Sequence, residues 1–185
     1  KPGAYRSRIG REGQEEEVGH GAVVVATGGK PARTAEYLYG QHPGVMTQRE
    51  LEERASTTDL RTVVMIQCVG SREEGRPYCS RICCTQAIKN ALRLKAQEPR
   101  TRVYILYREV RTFGFREVYY RAAREAGVVF VRYELGAKPE VKESGKQLEV
   151  RLREPVTGQV LKIEADAVVL SVGIEADEEQ DLAER

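Results

Sequence analysis

The chain has 185 residues, with 30 Lys and Arg against 28 Asp and Glu, which leaves a formal net charge of only +2. This near-balance argues against a nucleic-acid-binding protein, which ordinarily carries a basic excess on one face. No apolar run has the length needed to span a bilayer, and no targeting segment opens the chain, so we predict no membrane span. The clustered cysteines suit a reducing compartment, and we therefore predict a cytoplasmic protein. The chain begins with Lys1 rather than Met, and we interpret it as part of a larger polypeptide.

The first 29 residues predict a hairpin followed by a strand. Alternating polar and apolar residues over 4–9 and a turn containing glycine indicate one hairpin arm, with disorder as the alternative. The run GAVVVATGG at residues 21–29 predicts a buried parallel strand that ends in a backbone-exposing turn. On its own, the Ala-Thr-Gly string fits an ordinary strand and turn equally well.

Residues 30–59 are rich in Gly, Pro and Tyr and are interpreted as a connector with one short helix. Thr47 is a suitable N-cap, and Glu50 follows three residues later as in a capping box. We assign no chemistry to the two histidines of the chain, His20 and His42, because neither has a visible catalytic partner.

Residues 60–173 predict the main domain. Strands at 60–67, 102–107 and 128–133 alternate with helices at 82–97 and 115–126, a pattern typical of a right-handed parallel sheet and hence of a Rossmann-like α/β fold. The second helix is expected to bury Val118, Ala122 and Ala126. Alternating residues over 148–163 then predict an antiparallel β meander, after which residues 167–173 return as an apolar strand. Residues 174–185 are interpreted as the start of a further element.

All four cysteines of the chain lie between the first strand and the first helix of this domain, at Cys68, Cys79, Cys83 and Cys84. A dinucleotide-binding βαβ unit has a glycine-rich phosphate loop at that corner, and no such loop is present here. We therefore expect weak or no nicotinamide binding. Free N–H groups at the helix N-terminus are expected to lower the pKa of the thiols.

The spacing favours an iron–sulfur cluster over a single zinc ion. Adjacent cysteines on a helix point in different directions, and a cube of iron and sulfide offers more widely separated corners than one ion does. Structural zinc remains open, although the usual paired Cys-x2-Cys knuckles are missing. Disulfides are less favoured, since the cysteines are clustered and adjacent cysteines seldom bridge each other.

Two strings carry a resemblance to a known family: MIQCVGSREEGRPYCSRICCTQAIKNAL and YILYREVRTFGFREVYYRAAREAGVVFVRY. They closely resemble the A subunit of heterodisulfide reductase and its relatives, over residues 21–173. The resemblance implies an iron–sulfur flavoprotein on a thioredoxin-reductase-like scaffold, so that the main domain is the second dinucleotide-binding-type domain of a two-dinucleotide-fold flavoprotein. On this interpretation, residues 1–29 are the last part of the FAD domain, and residues 30–59 are a connector with a short helix. Residues 60–173 form the Rossmann-like domain that carries the cysteine motif, and residues 174–185 begin the return of the chain to the FAD domain.

The resemblance also implies cofactors and roles for particular residues. Carried over by position, the ligands of a [4Fe–4S] cluster are Cys68, Cys79, Cys83 and Cys84. The FAD neighbours are Thr27, Gly28, Gly29 and Lys89, although a solvated surface lysine is the alternative for Lys89. The segment alone is not expected to hold FAD tightly.

The function implied is electron transfer between FAD and the cluster on behalf of partner subunits. The implied partners are heterodisulfide reductase B and C-like subunits, a hydrogenase or NADH-oxidising module, and ferredoxin, and a homodimer is left open. Two alternatives are a zinc-stabilised, non-enzymatic assembly module and a thiol–disulfide redox protein that uses Cys83 and Cys84.

Overall fold

The computed structural model describes residues 3–11 and 13–176, which fall into two compact units. The first unit contains residues 3–30 and residue 176. Its strands β1 (Tyr5–Arg11) and β2 (Gln14–His20) form an antiparallel hairpin. The predicted hairpin is therefore confirmed.

The predicted strand over residues 21–29 is wrong. Residues 22–28 have no regular secondary structure, and Val23, Val24 and Val25 are all exposed. A buried parallel strand needs a neighbour to satisfy its backbone and cover to bury its side chains. Among the described residues, no strand pairs with residues 22–28.

The second unit, Pro31–Glu175, contains the main sheet and its helices. Its larger elements are, in chain order, β4 (Val45–Thr47), α1 (Gln48–Glu53), β5 (Thr62–Val69), α2 (Cys83–Gln97), β6 (Arg102–Tyr107), α3 (Glu117–Glu125), β7 (Val129–Arg132), β8 (Glu140–Ser144), β9 (Gln147–Arg153), β10 (Val160–Ala165) and β11 (Ala167–Val172). Short 3-10 helices lie at Glu36–Leu38, Gly114–Arg116 and Leu135–Ala137, and two short strands, β3 (Gly29–Pro31) and β12 (Ile174–Ala176), pair with each other. No helix in the described part of the chain combines the length and apolarity that crossing a bilayer requires.

Five strands form a parallel sheet in the order β4-β11-β5-β6-β7. Helices α1, α2 and α3 pack on one face around Met65, Ile88 and Leu94, and the antiparallel meander β8–β10 packs on the other around Ile66 and Leu148. Covered on both faces, β5 has all eight residues buried, which explains its continuous apolar sequence. The Rossmann-like α/β fold with an antiparallel meander is confirmed.

Three details differ from the prediction. Strand β4 lies inside the predicted connector and forms the edge of the sheet, and β8 precedes the residues 148–163 over which the meander was predicted. Helix α3 buries Ala123, whereas Val118 is exposed. The predicted return segment, 174–185, begins in β12, and its residues 177–185 lie outside the described residues. A strand of three to five residues is too short to show the alternation of apolar and polar side chains that predicts a strand. Such strands are recognised only from their pairing in the structure.

The capping box of α1 is formed as predicted. The Thr47 hydroxyl accepts a hydrogen bond from the Glu50 backbone N–H at 3.2 Å, and the Glu50 carboxylate accepts one from the Thr47 backbone N–H at 2.6 Å. Thr47→Ala leaves a helix N–H unpaired, so we expect a loss of about 1 kcal/mol in the free energy of unfolding, measured by urea denaturation. The exposed Thr58→Ala serves as control, and an equal loss in both variants contradicts the capping role.

Candidate iron–sulfur site

The fold brings the four cysteines to one cavity. Cys68 lies at the end of β5, Cys79 in the following loop, and Cys83 and Cys84 in the first turn of α2, and all four line the same small cavity of about 20 Å³. This is the carboxyl edge of a parallel sheet, where open α/β folds bind their ligands. All four thiols are free.

The backbone around this cavity adopts unusual conformations. Cys68, Arg72 and Arg81 have positive φ values of 60°, 61° and 62°, in the left-handed region that residues other than glycine rarely occupy. All three residues line the cysteine cavity. Such strained residues persist where surrounding structure holds them, and they concentrate at functional sites.

The adjacent thiols point to different sides, as their positions on a helix predict. Cys83 Sγ lies 3.5 Å from the Val172 carbonyl oxygen at the end of β11, whereas Cys84 Sγ lies 3.8 Å from that of Glu109, beyond β6. Cys79 Sγ accepts a hydrogen bond from the Arg81 backbone N–H at 3.4 Å. The thiols are therefore positioned by three segments that are distant in sequence.

For Cys83 and Cys84, the two thiols in the first turn of α2, the expectation that the helix N-terminus lowers the pKa is wrong. Burial raises the pKa of Cys83 to about 12, and negative charge on Cys84, Cys68 and Cys79 would raise it further. Burial likewise raises the pKa of Cys84, although the Arg111 backbone N–H partly opposes it. Desolvation and mutual repulsion outweigh the helix dipole because all four groups would carry negative charge in one small space.

The reduced, metal-free protein is therefore expected to lose stability as the pH rises from about 9 to about 12. The Cys83 thiol loses its proton near 9.0 in the unfolded chain but only near 12 in the folded chain. The unfolded state thus binds fewer protons in this interval, and rising pH favours unfolding. Urea denaturation between about pH 8 and 10.5 measures the slope, which should be smaller in Cys83→Ser. Equal slopes in both proteins would count against this account.

Positive charge surrounds the thiols but is partly neutralised by one carboxylate. Glu109 Oε2 accepts from Arg72 Nη2 at 2.9 Å and from Arg111 Nη2 at 2.7 Å. Arg108 donates to the backbone carbonyl oxygens of Ser71 and Arg72 and so fixes the loop that follows Cys68. Sequence reasoning missed Glu109 and Arg108, since nothing in their local pattern marks them.

Several buried polar atoms at this edge have no hydrogen-bond partner. They include Ser71 Oγ and the Nη1 atoms of Arg72 and Arg76. Ser71 and Arg72 line the cysteine cavity, and Arg76 forms an ion pair with Glu175 through its other terminal nitrogen. Buried donors without an acceptor are uncommon and point to a group that the chain itself does not supply.

Gly173 allows the cysteine loop to approach β11. A Cβ atom at this position would lie 3.1 Å from Ser80 Oγ, 3.2 Å from Arg76 Nη1, and nearer still to Ser71 Oγ. The Ile174 backbone N–H donates to Ser80 Oγ at 2.8 Å. The loop and the end of β11 are therefore in direct contact, and a side chain at position 173 would displace the side chains that make this contact.

Lys89 lies about one and a half turns beyond Cys84 on α2. It lines a groove of about 560 Å³ between α2 and α3, together with Ile82, Leu92 and Tyr119. Its Nζ atom forms an ion pair with Glu52 Oε1 at 2.8 Å. Gln86 Nε2 donates to the same oxygen at 3.0 Å. Sequence reasoning missed Glu52, because α1 and α2 are far apart along the chain and only tertiary packing places them side by side.

The other predicted cofactor neighbours, Thr27, Gly28 and Gly29, belong to the first unit. They are exposed, and Gly28 has a φ of 76°. Within residues 3–11 and 13–176, no group of three or more His, Cys, Asp or Glu side chains is arranged to hold a metal ion. The four cysteines share a cavity but are therefore not in a ligating arrangement in this structure, and binding a metal centre requires them to rearrange.

No protein-family model matches the chain, but individual relatives do. It is 38% identical to the A subunit of the H2/formate:CoB-CoM heterodisulfide, ferredoxin reductase of Methanococcus maripaludis, over 91% of this chain and 29% of that protein. It is 37% identical to the first of the iron-sulfur A subunits of CoB-CoM heterodisulfide reductase from Methanopyrus kandleri, with the same two coverages. The chain thus spans less than a third of the length of these curated relatives.

Solved structures show the same fold. Lactococcus lactis thioredoxin reductase matches 92% of this chain and 50% of its own, with a TM-score of 0.51 and 19% identity. The FAD-bound cadaverine monooxygenase DfoA of Erwinia amylovora matches 97% of this chain and 51% of its own, with a TM-score of 0.57 and 10% identity. These likenesses establish the scaffold, and the sequence relatives establish the family: over the segment that it matches, this chain belongs to the family of heterodisulfide reductase A subunits.

Proposed function

We propose that this chain is an electron-transfer segment of a heterodisulfide reductase A-like oxidoreductase, in which Cys68, Cys79, Cys83 and Cys84 hold a [4Fe–4S] cluster. The observation that carries the proposal is the shared cavity of the four thiols at the carboxyl edge of the sheet. Thiolate sulfur is the usual ligand of such clusters, and four thiolates complete one cluster.

The high pKa of two of these thiols supports a bound cation. Four thiolates facing one another are unstable without positive charge, and burial adds to the cost. A bound metal reverses this balance, since ligand thiols are deprotonated on binding. The site therefore has the chemistry of a metal centre rather than that of a nucleophile, which needs a lowered pKa.

The surroundings also fit an anionic sulfide-containing group. Ser71 and Arg72 present buried, unpartnered donors in the cavity lining. The cavity admits little more than one water molecule, so uptake of a cluster requires residues 73–82 to move outward, while Arg108 holds the backbone of Ser71 and Arg72. Apart from an isolated bridge between Glu73 and Arg76, this loop has no helix or strand to resist that movement before α2 begins.

We further propose that the longer protein holds FAD and that Lys89, Thr27, Gly28 and Gly29 contact it. The groove that contains Lys89 is mostly apolar, starts beside the cysteine turn, and has a cation at its rim, which suits a flavin ring that gains negative charge on reduction. When bound, FAD supplies two-electron chemistry and the cluster one-electron transfer. Residues 1–29 and 174–185 would then belong to the FAD domain.

Lys89→Gln in the full-length, FAD-loaded protein tests the flavin contact. Loss of the cation should make flavin reduction less favourable, seen as a lower flavin midpoint potential. Lys142→Gln removes a lysine that pairs only with the exposed Glu140 and should leave the potential unchanged. Equal potentials in all three proteins would contradict a role for Lys89.

The names of the relatives suggest the partners. Those proteins are named as reductases of the CoB-CoM heterodisulfide, with H2, formate or ferredoxin as further substrates. By analogy, we propose B and C-like subunits, a hydrogenase or NADH-oxidising module, and ferredoxin as partners in electron transfer. The four free thiols suit a reducing compartment such as the cytoplasm.

Anaerobic reconstitution with iron and sulfide tests the central proposal. The protein should take up about four iron atoms and four acid-labile sulfides per chain, absorb broadly in the visible range, and give a paramagnetic signal after reduction by dithionite. A colourless product with one zinc ion per chain would contradict the proposal and favour a zinc-stabilised module.

A further inference from the structure

Ser71 has a hydroxyl group that the chain leaves without a partner. The residue is only 4% exposed, and its Oγ atom makes no hydrogen bond. It lines the cavity formed by the four cysteines, three residues after Cys68. A buried hydroxyl without a hydrogen-bond partner destabilises the folded protein. We therefore expect an acceptor for the Ser71 hydroxyl that the chain itself does not supply.

The backbone of Ser71 is held independently of its side chain. Its N–H donates to the Cys68 carbonyl oxygen at 3.2 Å, and its carbonyl oxygen accepts from Arg108. The hydroxyl itself therefore has no role in closing this turn. The position of the hydroxyl is nevertheless restricted, because the Ser71 backbone is hydrogen-bonded to Cys68 of β5 and to Arg108, which follows β6.

Gly173 closes one side of the hydroxyl. A Cβ atom at that position would collide with Ser71 Oγ, so the hydroxyl lies directly against the backbone of β11's end. Ser71 is also one of the residues that line the cysteine cavity, together with Cys83 and Cys84. Because the hydroxyl has no partner within the chain, we take the group bound in that cavity as its acceptor.

We infer that the Ser71 hydroxyl donates a hydrogen bond to a sulfur atom of the centre bound by the cysteines and thereby raises its reduction potential. This inference rests on the proposed function. A donor stabilises the state with more negative charge on sulfur, which is the reduced one, and hydrogen bonds to sulfur are among the factors that set the potential of such centres. One electron enters from an external reductant, and no covalent bond forms or breaks.

Ser71→Ala in the reconstituted protein tests the inference by redox titration with dithionite, followed by electron paramagnetic resonance. At a fixed solution potential, the ratio of reduced to oxidised centre should fall about tenfold, which is a shift of about 59 mV for a one-electron couple. Iron and sulfide content should equal that of the wild type. In the metal-free protein, the same substitution should leave the urea midpoint unchanged or higher, because it removes an unsatisfied group.

Ser171→Ala is the matched control, since Ser171 is a similarly buried serine at the same edge of the sheet. Its hydroxyl accepts from Gln48 Nε2 at 3.2 Å and is not part of the cavity lining. This variant should lower the urea midpoint of the metal-free protein, because the Gln48 amide loses its acceptor. Its redox titration should match that of the wild type.

Three outcomes overturn the inference. An unchanged potential in Ser71→Ala at full iron content would mean that the hydroxyl bonds only to water. Loss of iron from Ser71→Ala would mean that the hydroxyl is needed for assembly and does not tune the potential. A wild-type protein that binds no iron would contradict the proposed function itself, and the inference with it.

Discussion

Serine in place of any one of Cys68, Cys79, Cys83 or Cys84 is expected to prevent the reconstituted protein from retaining a four-iron centre. Each thiol lines the same cavity, and the chain has no fifth cysteine to replace a missing ligand. A serine hydroxyl is a poor substitute because it does not ionise as readily as a thiol and is a harder donor. Changes in the outer shell of a metal site alone cost about 10–100-fold in affinity, so we expect at least a tenfold weaker retention of iron.

Iron and sulfide analysis after gel filtration measures this loss. Tyr78→Phe is the control in the same loop, since the Tyr78 hydroxyl donates a weak hydrogen bond to the Ile174 carbonyl oxygen, at 3.4 Å, and Tyr78 is not among the residues that line the cysteine cavity. That variant should keep its iron. If one cysteine variant retained the full four-iron content, that residue would not be a ligand, and the four-thiolate centre would have to be abandoned.

Gly173→Ala is expected to destabilise the protein by about 1–3 kcal/mol and to reduce its iron content. The added methyl group meets Ser71, Ser80 and Arg76 at once, and overpacking of this kind typically costs about that much. Relief requires the side chains of Ser71, Ser80 and Arg76 to turn away from β11, which removes contacts that hold the cysteine loop against the end of that strand. Urea denaturation of the metal-free protein measures the first effect, and iron analysis measures the second.

Gly75→Ala provides the comparison for this effect, because Gly75 lies in the same loop with no atom within 4 Å of an added Cβ. It should change neither stability nor iron content appreciably. If the two glycine variants behaved alike, the close approach of the loop to β11 would not matter for the site.

Local pattern was sufficient for the longer elements of the main domain. Strand β6 has the bounds predicted for it, and α2 begins within one residue of its predicted start, because both carry a strong apolar period. The capping box at Thr47 is a short-range signal and was also found. The segment with Val23, Val24 and Val25 misled the prediction, since an apolar β-branched run becomes a strand only where another strand pairs with it.

The candidate site was predictable only in part. The spacing of Cys68, Cys79, Cys83 and Cys84 at a strand–helix junction marked them as one group, and the structure places them together. The high pKa of Cys83 was not predictable, because it depends on burial and on thiols that approach from other segments. Lys89 was selected by resemblance, and its ion pair with Glu52 depends on how α1 packs beside α2.

The sequence by itself determined the α/β alternation, the chemistry of four sulfur donors and the corner of the fold that carries them, because periodicity and residue type act over a few neighbouring positions. Only the tertiary structure decided which groups surround those donors. Ser71, Glu109 and Gly173 lie far apart along the chain but meet at the carboxyl ends of three neighbouring strands. These residues lie close together because β11, β5 and β6 are neighbours in the sheet. The order of strands depends on long-range pairing, which no local sequence pattern encodes.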